Sequence, residues 1–326
     1  MKNIHALAAV FSLLLVSTFA PGCSNDSPLE PSSADEQYFQ RVVSGNDEET
    51  RDLFTSDIEA LNESADFNLL GSTFRKEIAA LGPITPIKFG RSIRNVSRSI
   101  IGPATMQGDS IALVHTQIII TGDFVVKAVT PSGIVTLRKP FTETLYRNLR
   151  FVRVWDDDGR KRDDDRDLFK WKLAAVSVIN GGTVPPSSVF QSVELITAKD
   201  TFTVTNPDEY FMASKHPWKV KMPKLKDKPI TVRVTLISNS PDPEDVALHH
   251  LVAESGLRKQ MFTLVSESDV AGLFTRVYER TWYSKIKAKK KYGHLVVSAL
   301  SNASVHDDDT QLYASTIWGI PYLPNE

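Results

Sequence analysis

The chain has 326 residues, with 38 Lys and Arg against 39 Asp and Glu and a formal net charge of −1. That balance leaves no global electrostatic preference for nucleic acid, so none is expected as a partner. A single cysteine excludes an internal disulfide, and a 41% share of hydrophobic residues is ample for packed cores.

Residues 1–22 read as an export signal. Lys2 and the amino terminus supply positive charge, Ala6 to Phe19 supply an apolar core, and Ala20-Pro21-Gly22 supply a small-residue exit. The core is about 14 residues, short of the ~20 that a membrane-spanning helix needs. Together with Cys23, this stretch resembles the acceptor region of a bacterial lipoprotein signal. Gly22 supplies the small residue before the cysteine, while Ala20 stands where leucine is usual and Pro21 is uncommon. The resemblance implies a diacylglyceryl thioether on Cys23 and an acylated amine. It makes the membrane a partner through that anchor and the bacterial cell envelope the location. Ser24 follows the cysteine instead of Asp, which in a Gram-negative envelope implies sorting to the outer membrane. The alternative is an ordinary secretory signal with an incidental cysteine.

Residues 23–34 then form a tether, whose eleven residues after Cys23 are rich in Ser, Pro, Asp and Glu. Fully extended, they reach about 36–40 Å. Tyr38, Phe39, Val42 and Val43 predict a helix. Asn46 reads as the N-cap of a second, with Asp47, Glu48 and Glu49 in its first turn and Phe54, Ile58 and Leu61 on one face. Phe74, Ile78 and Leu81 mark a third. From residue 87 the period becomes two. Strands are expected over 88–101, 111–121, 124–129, 134–137, 141–155 and 168–179, with a hairpin at Pro131-Ser132-Gly133.

Helices followed by long antiparallel strands predict an α+β layer pair over residues 35–180. The order resembles the NTF2-like (cystatin-like) cone, carried by the helices of 35–63, the strand 111–121 and the strand pair ending in Trp171-Lys172-Leu173. Gly181-Gly182-Thr183-Val184-Pro185-Pro186 reads as part of an interdomain linker, 181–187. Over 188–326 short alternating strands recur, as in Ile230–Leu236, where Ile, Val, Val and Leu alternate with Thr231, Arg233 and Thr235. That spacing resembles an Ig-like β-sandwich in architecture.

No nucleophile or metal motif with its required partners is present. Ser284-Lys285-Ile286-Lys287 matches SxxK without its companion motifs, and His249-His250 are adjacent and face opposite ways on a strand. No cofactor, metal or catalytic residue is therefore assigned. The acidic runs Asp156-Asp157-Asp158-Gly159, Asp163-Asp164-Asp165 and Asp307-Asp308-Asp309 have the chemistry for calcium but lack an EF-hand register. Solvated loops explain them as well. Lys219, Lys221, Lys285 and Lys287 read either as a surface for anionic partners or as edge-strand protection. The candidate ligand pocket consists of His115, Gln117, Glu143, Arg147, Trp155 and Trp171. Polar groups among apolar neighbours on one concave sheet face would form a cleft of the usual ligand-site kind. The expected function is a lipid-anchored scaffold that binds an envelope glycan or another envelope protein. The alternatives are a small-molecule or glycan-directed binder or enzyme in the 35–180 cone, and a calcium-dependent adhesion module.

Overall fold

The computed structural model describes residues 31–63, 84–131, 133–155, 169–213, 220–225, 229–252, 256–283, 292–308 and 310–323. Helices α1 (Ser33–Val43) and α2 (Arg51–Leu61) come first. They are followed by β1 (Thr85–Ile100), β2 (Thr105–Gln107), β3 (Ile111–Thr130), β4 (Gly133–Trp155), β5 (Phe169–Ser177) and β6 (Ile179–Gly182). Next come β7 (Val189–Ile196), β8 (Thr201–Val204), β9 (Phe211–Ala213), β10 (Val220–Lys221), β11 (Pro229–Ser238), β12 (Asp245–Val252) and β13 (Gly256–Met261). The last elements are β14 (Thr263–Val270), β15 (Leu273–Tyr283), β16 (Gly293–Leu300), α3 (Asn302–His306) and β17 (Ser315–Tyr322). The predicted signal, Cys23, most of the tether and the third predicted helix lie outside the described residues.

The local signals set the first helices well. Ser32 caps α1 by accepting from the Asp35 amide at 3.3 Å, and Asp35 accepts from the Ser32 amide at 3.0 Å. Phe39, Val42 and Val43 are buried as their spacing requires. The second helix starts later than Asn46. Asp47 Oδ2 accepts from both the amide (3.1 Å) and the hydroxyl (2.7 Å) of Thr50, and this turn defers the helix to Arg51. Phe54, Ile58 and Leu61 are buried as expected.

The expected fold class, an α+β NTF2-like domain plus a separate Ig-like sandwich, is overturned. The protein is mostly β, with three short helices among the described residues and curled antiparallel sheets. The helices do not cover a sheet of the first half alone, although α1 packs on β4 and β5 through Phe39, Phe151 and Trp171. The strands that α2 touches most are β16 and β12, from the last third of the chain. Nor do the late strands close a sandwich of their own. A 12-stranded sheet runs β10-β9-β5-β4-β6-β17-β16-β12-β13, with β3 on the other side of β4 and β1 and β2 on β3. The second sheet has five strands, β14-β15-β11-β7-β8.

The long hairpin β3–β4 pairs from Ile111↔Val152 to Thr130↔Gly133 without a break. The ladder ends at Thr130↔Gly133, where the hairpin was expected, and it runs straight through the expected breaks at 122–123 and 138–140. At Gly122 a Cβ would collide with the Ser92 carbonyl of β1, so glycine marks a close strand crossing. Pro140 sits where β4 is paired with β3 alone, so its missing N–H breaks no ladder bond.

Gly181 and Gly182, read as the start of a linker, end β6. This strand is hydrogen-bonded to β4 on one side and β17 on the other. Their φ values are +148° and +145°. A Cβ on Gly181 would overlap the Thr144 carbonyl, and one on Gly182 would overlap the Ser315 carbonyl. The join makes one sheet from both sides of the predicted boundary. It also buries all eight residues of β16 and of β17. Leu295, Val297, Trp318 and Ile320 pack with Val193, Val232, Val234 and Trp282 of the five-stranded sheet. Val296, Leu300 and Ile317 pack on the other face with Ile58, Leu61, Ile120 and Leu145.

Gly181→Ala should lower unfolding free energy by at least about 2 kcal/mol, because strain and overlap add. Gly102→Ala has φ +68° but open space around its Cβ, and should lose only about 1 kcal/mol. Urea melts compare the two; equal losses would show that the strand crossing is not tight.

Candidate functional site

Alternation along β4 puts Phe141, Glu143, Leu145, Arg147, Leu149 and Phe151 on the inner face, all buried. Arg147 is the centre of one polar network. Its Nη1 donates to the Leu53 carbonyl at 3.0 Å, and its Nη2 lies 2.9 Å from Asp57 Oδ2 and 3.0 Å from His294 Nε2. A guanidinium only donates, so His294 Nε2 accepts and the ring proton is on Nδ1. Nδ1 then donates to Ser56 Oγ at 2.7 Å. Burial raises the Asp57 carboxyl above its ordinary range despite Arg147, and burial lowers Arg147 despite Asp57. Both directions say that lost hydration outweighs the pair's attraction. Burial, with Arg147 adding, holds His294 well below 6.5.

Glu143 anchors a second network. Its Oε1 accepts from Arg91 Nε (3.1 Å), Tyr313 Oη (2.5 Å) and Ser315 Oγ (2.7 Å). The Arg91 amide donates to Glu63 Oε2 at 3.1 Å, and Lys259 Nζ lies 3.1 Å from Glu63 Oε1. Burial works against the Arg91 charge, but Glu143, Tyr313 and Glu63 outweigh it and raise its pKa. Burial raises Tyr313 well above 10, with Glu143 adding. Beside this network His249 Nε2 meets Ser298 Oγ at 2.8 Å, while its Nδ1 stands 4.0 Å from Glu63 Oε1. The atom order is that of a nucleophile, base and orienting acid. Yet 4.0 Å is no hydrogen bond, and Ser298 has no exposed surface in the middle of β16. The group ties β12 to β16 and is closed to substrate.

The predicted pocket residues do not meet. His115 and Gln117 point to the opposite face of β3 from Thr116, whose hydroxyl donates to the Arg147 carbonyl at 2.8 Å. On that outer face His115 Nδ1 bonds Asn148 Oδ1 at 2.7 Å. Asn148 Nδ2 donates to the Asp208 carbonyl at 3.0 Å, and Asn180 Nδ2 donates to Asp208 Oδ1 at 2.8 Å. Gln117 lies across from Tyr146 in the ladder. Glu143 and Arg147 share the inner face but serve separate networks. Trp171 Nε1 donates to Asp35 Oδ1 at 2.7 Å, and its ring packs against Phe39, binding β5 to α1. Trp155 closes β4 opposite Phe169. Lys221 lies in β10, the edge strand of the large sheet. Lys219, Lys285, Lys287 and the loop 156–167 are outside the described residues.

Among the described residues, two surface grooves bear on function. One, of about 320 Å³, is lined by Tyr146, Asn180, Thr183, Phe190, Pro207 and Trp318, among others. The other, of about 460 Å³, lies between α1 (Glu36, Gln37, Gln40) and Gly102–Ala104. Neither is lined by a member of the buried networks. Among the described residues no group of His, Cys, Asp and Glu could hold a metal. Asp308 Oδ1 accepts from the amide and hydroxyl of Thr310, a turn-forming use of that carboxylate.

Sequence reasoning singled out Glu143 and Arg147 and passed over His249 as neither metal ligand nor catalyst, but it did not mark Asp57, Glu63, Arg91, His294 or Tyr313. The usable signal was local: a charged or imidazole side chain at a position where alternation calls for an apolar one.

Arg147→Met should cost about 3–5 kcal/mol because it strands Asp57, and adding Asp57→Leu should restore most of that loss. Urea melts of the single and double variants decide it; a purely additive double variant would remove the pairing argument. Both His249 and His294 are held below 6.5, so the unfolded chain takes up protons first as pH falls. Their contribution is complete above about pH 6.5 and shrinks below it. Asp57, raised by burial, acts with the opposite sign. Between about pH 7.5 and 5, His294→Gln should flatten the fall in stability by up to about 1.4 kcal/mol per pH unit. An unchanged slope would mean that His294 is not buried as described.

No protein-family model, no curated protein and no solved structure matches the chain.

Proposed function

We propose that this is a lipid-anchored protein of the bacterial cell envelope, sorted to the outer membrane, that acts as a non-catalytic binding module. One observation carries the binding half of this reading. The interior acids, bases and hydroxyls are bonded to one another, while the surface groove beside Tyr146 is lined by aromatic, proline, amide and hydroxyl groups. Its volume of about 320 Å³ lies at the small end of ligand sites. Tyr146 is 41% exposed, and Asn180 is held beside it by Asp208. An aromatic face next to amide and hydroxyl groups suits a sugar ring, whose C–H face packs on the aromatic while its hydroxyls take hydrogen bonds. The proposed ligand is therefore an envelope glycan. The anchor half rests on the residues around Cys23.

Cys23→Ser should abolish incorporation of a labelled fatty acid and release the protein from the membrane fraction; persistent labelling would remove the anchor. Separately, soluble cell-wall glycan fragments should raise Tm, and Tyr146→Ala should abolish that rise without lowering Tm in the absence of glycan. A rise that survives Tyr146→Ala, or none with any fragment, would remove the groove as the glycan site.

A further inference from the structure

The outer face of the large sheet carries an uncharged polar row that leads into the groove beside Tyr146. Strand register sets it. Ser99 of β1 lies opposite Gln117 of β3, and Gln117 lies opposite Tyr146 of β4. Tyr146 lies opposite Asn180 of β6, and Asn180 opposite Trp318 of β17. Facing residues share a side, so these five side chains line up on one face. A strand spacing of about 4.8 Å puts Ser99 about 14 Å from Asn180 along the row. Two residues further along each strand, Ser97, Ile119, Thr144 and Thr316 form a second row, joined through Gly182.

These rows differ from an ordinary solvated sheet face. None of their residues is charged, in a chain of which 24% of residues are charged. The solvent face of the five-stranded sheet, by contrast, carries a cross-strand ladder of Glu194, Arg233 and Glu279, with Arg233 3.5 and 2.7 Å from the two acids. Ser99 and Tyr146 are exposed and Gln117 is half-buried. Among the described residues, the side chains of Ser99 and Gln117 have no hydrogen-bond partner. The two ends of the row also differ. Among the described strands β1 is followed by no further one beyond Ser99. At the other end Trp318 packs on Phe190, with 5.5 Å between ring centroids, and its next neighbour, Val297, is buried in the core shared with the five-stranded sheet. Val184, Pro186 and Pro207 wall the groove at that end.

We infer that this row is the track for a linear, uncharged polysaccharide, whose end unit sits in the groove on Tyr146 while the following units cross Gln117 and Ser99. This rests on the glycan reading of the groove and adds chain length and charge to it. A hydroxylated chain needs hydrogen-bond partners at intervals along one line, and amides and hydroxyls both donate and accept. An anionic chain would find no cation along the row to match its carboxylates. A protein partner would call for a surface with an apolar centre, which two polar rows do not offer. Each added hydrogen bond strengthens binding about two- to tenfold, so affinity climbs with chain length.

The test uses the full chain with Cys23→Ser and calorimetry with dimers and hexamers of β-1,4-linked glucose and N-acetylglucosamine, and with a galacturonate hexamer. For a neutral sugar that binds, the hexamer should bind at least about tenfold more tightly than the dimer. Ser99→Ala with Gln117→Ala should bring the hexamer to within about threefold of the dimer, while leaving dimer affinity and the ligand-free Tm unchanged. The galacturonate hexamer should bind more weakly than the neutral one. A length gain that survives the double variant would overturn the track, and so would tighter binding of galacturonate. Dimer binding that needs Tyr146 but shows no gain with length removes the track and leaves the groove reading standing. No binding by any oligomer removes both.

Discussion

The fold depends on a strand that only glycine can form. β6 threads between β4 and β17, and at Gly181 and Gly182 the neighbouring carbonyls leave no room for a Cβ. Through that crossing the ladder passes from the long hairpin to the late strands. Everything on either side of β16 and β17 follows from it. These two strands gain a covering layer on both faces, and their sequences carry the near-continuous apolar runs that two-sided burial requires.

Two-sided burial also explains the polar interior. Once α2, β4 and β16 enclose one space, any polar side chain there must find its partner inside. Arg147 meets a helix carbonyl, a carboxylate and an imidazole, and Glu143 collects three donors on one oxygen. The shifts of Asp57 and Arg147 show that this burial is not a source of surplus stability. What the networks supply is placement. Each joins residues from the start, middle and end of the chain, and a misregistered strand would leave a charge stranded. The same enclosure separates these groups from solvent, so their chemistry is structural. Surface properties are left to other parts of the molecule, such as the groove at the β6 corner.

How much was legible in the sequence can be judged element by element. The helix faces of Phe39-Val42-Val43 and Phe54-Ile58-Leu61 were read correctly, because burial of one helical face writes a 3.6-residue period. The β3 and β4 alternation was also legible, as was the 131–133 turn. Glu143 and Arg147 stood out as polar residues on an apolar face. Their partners did not, because Asp57 lies 90 residues from Arg147 and His294 lies 147 residues away. Nothing local marks such a pairing. The pairing of His115 with them failed for a geometric reason. Facing residues across an antiparallel ladder share a side, so Thr116, and not His115, lies with Arg147.

By itself, then, the sequence determined the local periods, the first helix faces, the reversal of the chain between Val129 and Ile134 and the lack of a complete catalytic motif in the sequence. Those properties depend on neighbours a few residues apart. The tertiary structure decided the sheet order, the meaning of Gly181-Gly182 and the partners of each buried charge. Glycine pairs serve both loops and tight strand crossings, and only the approach of Thr144 and Ser315 distinguishes the two.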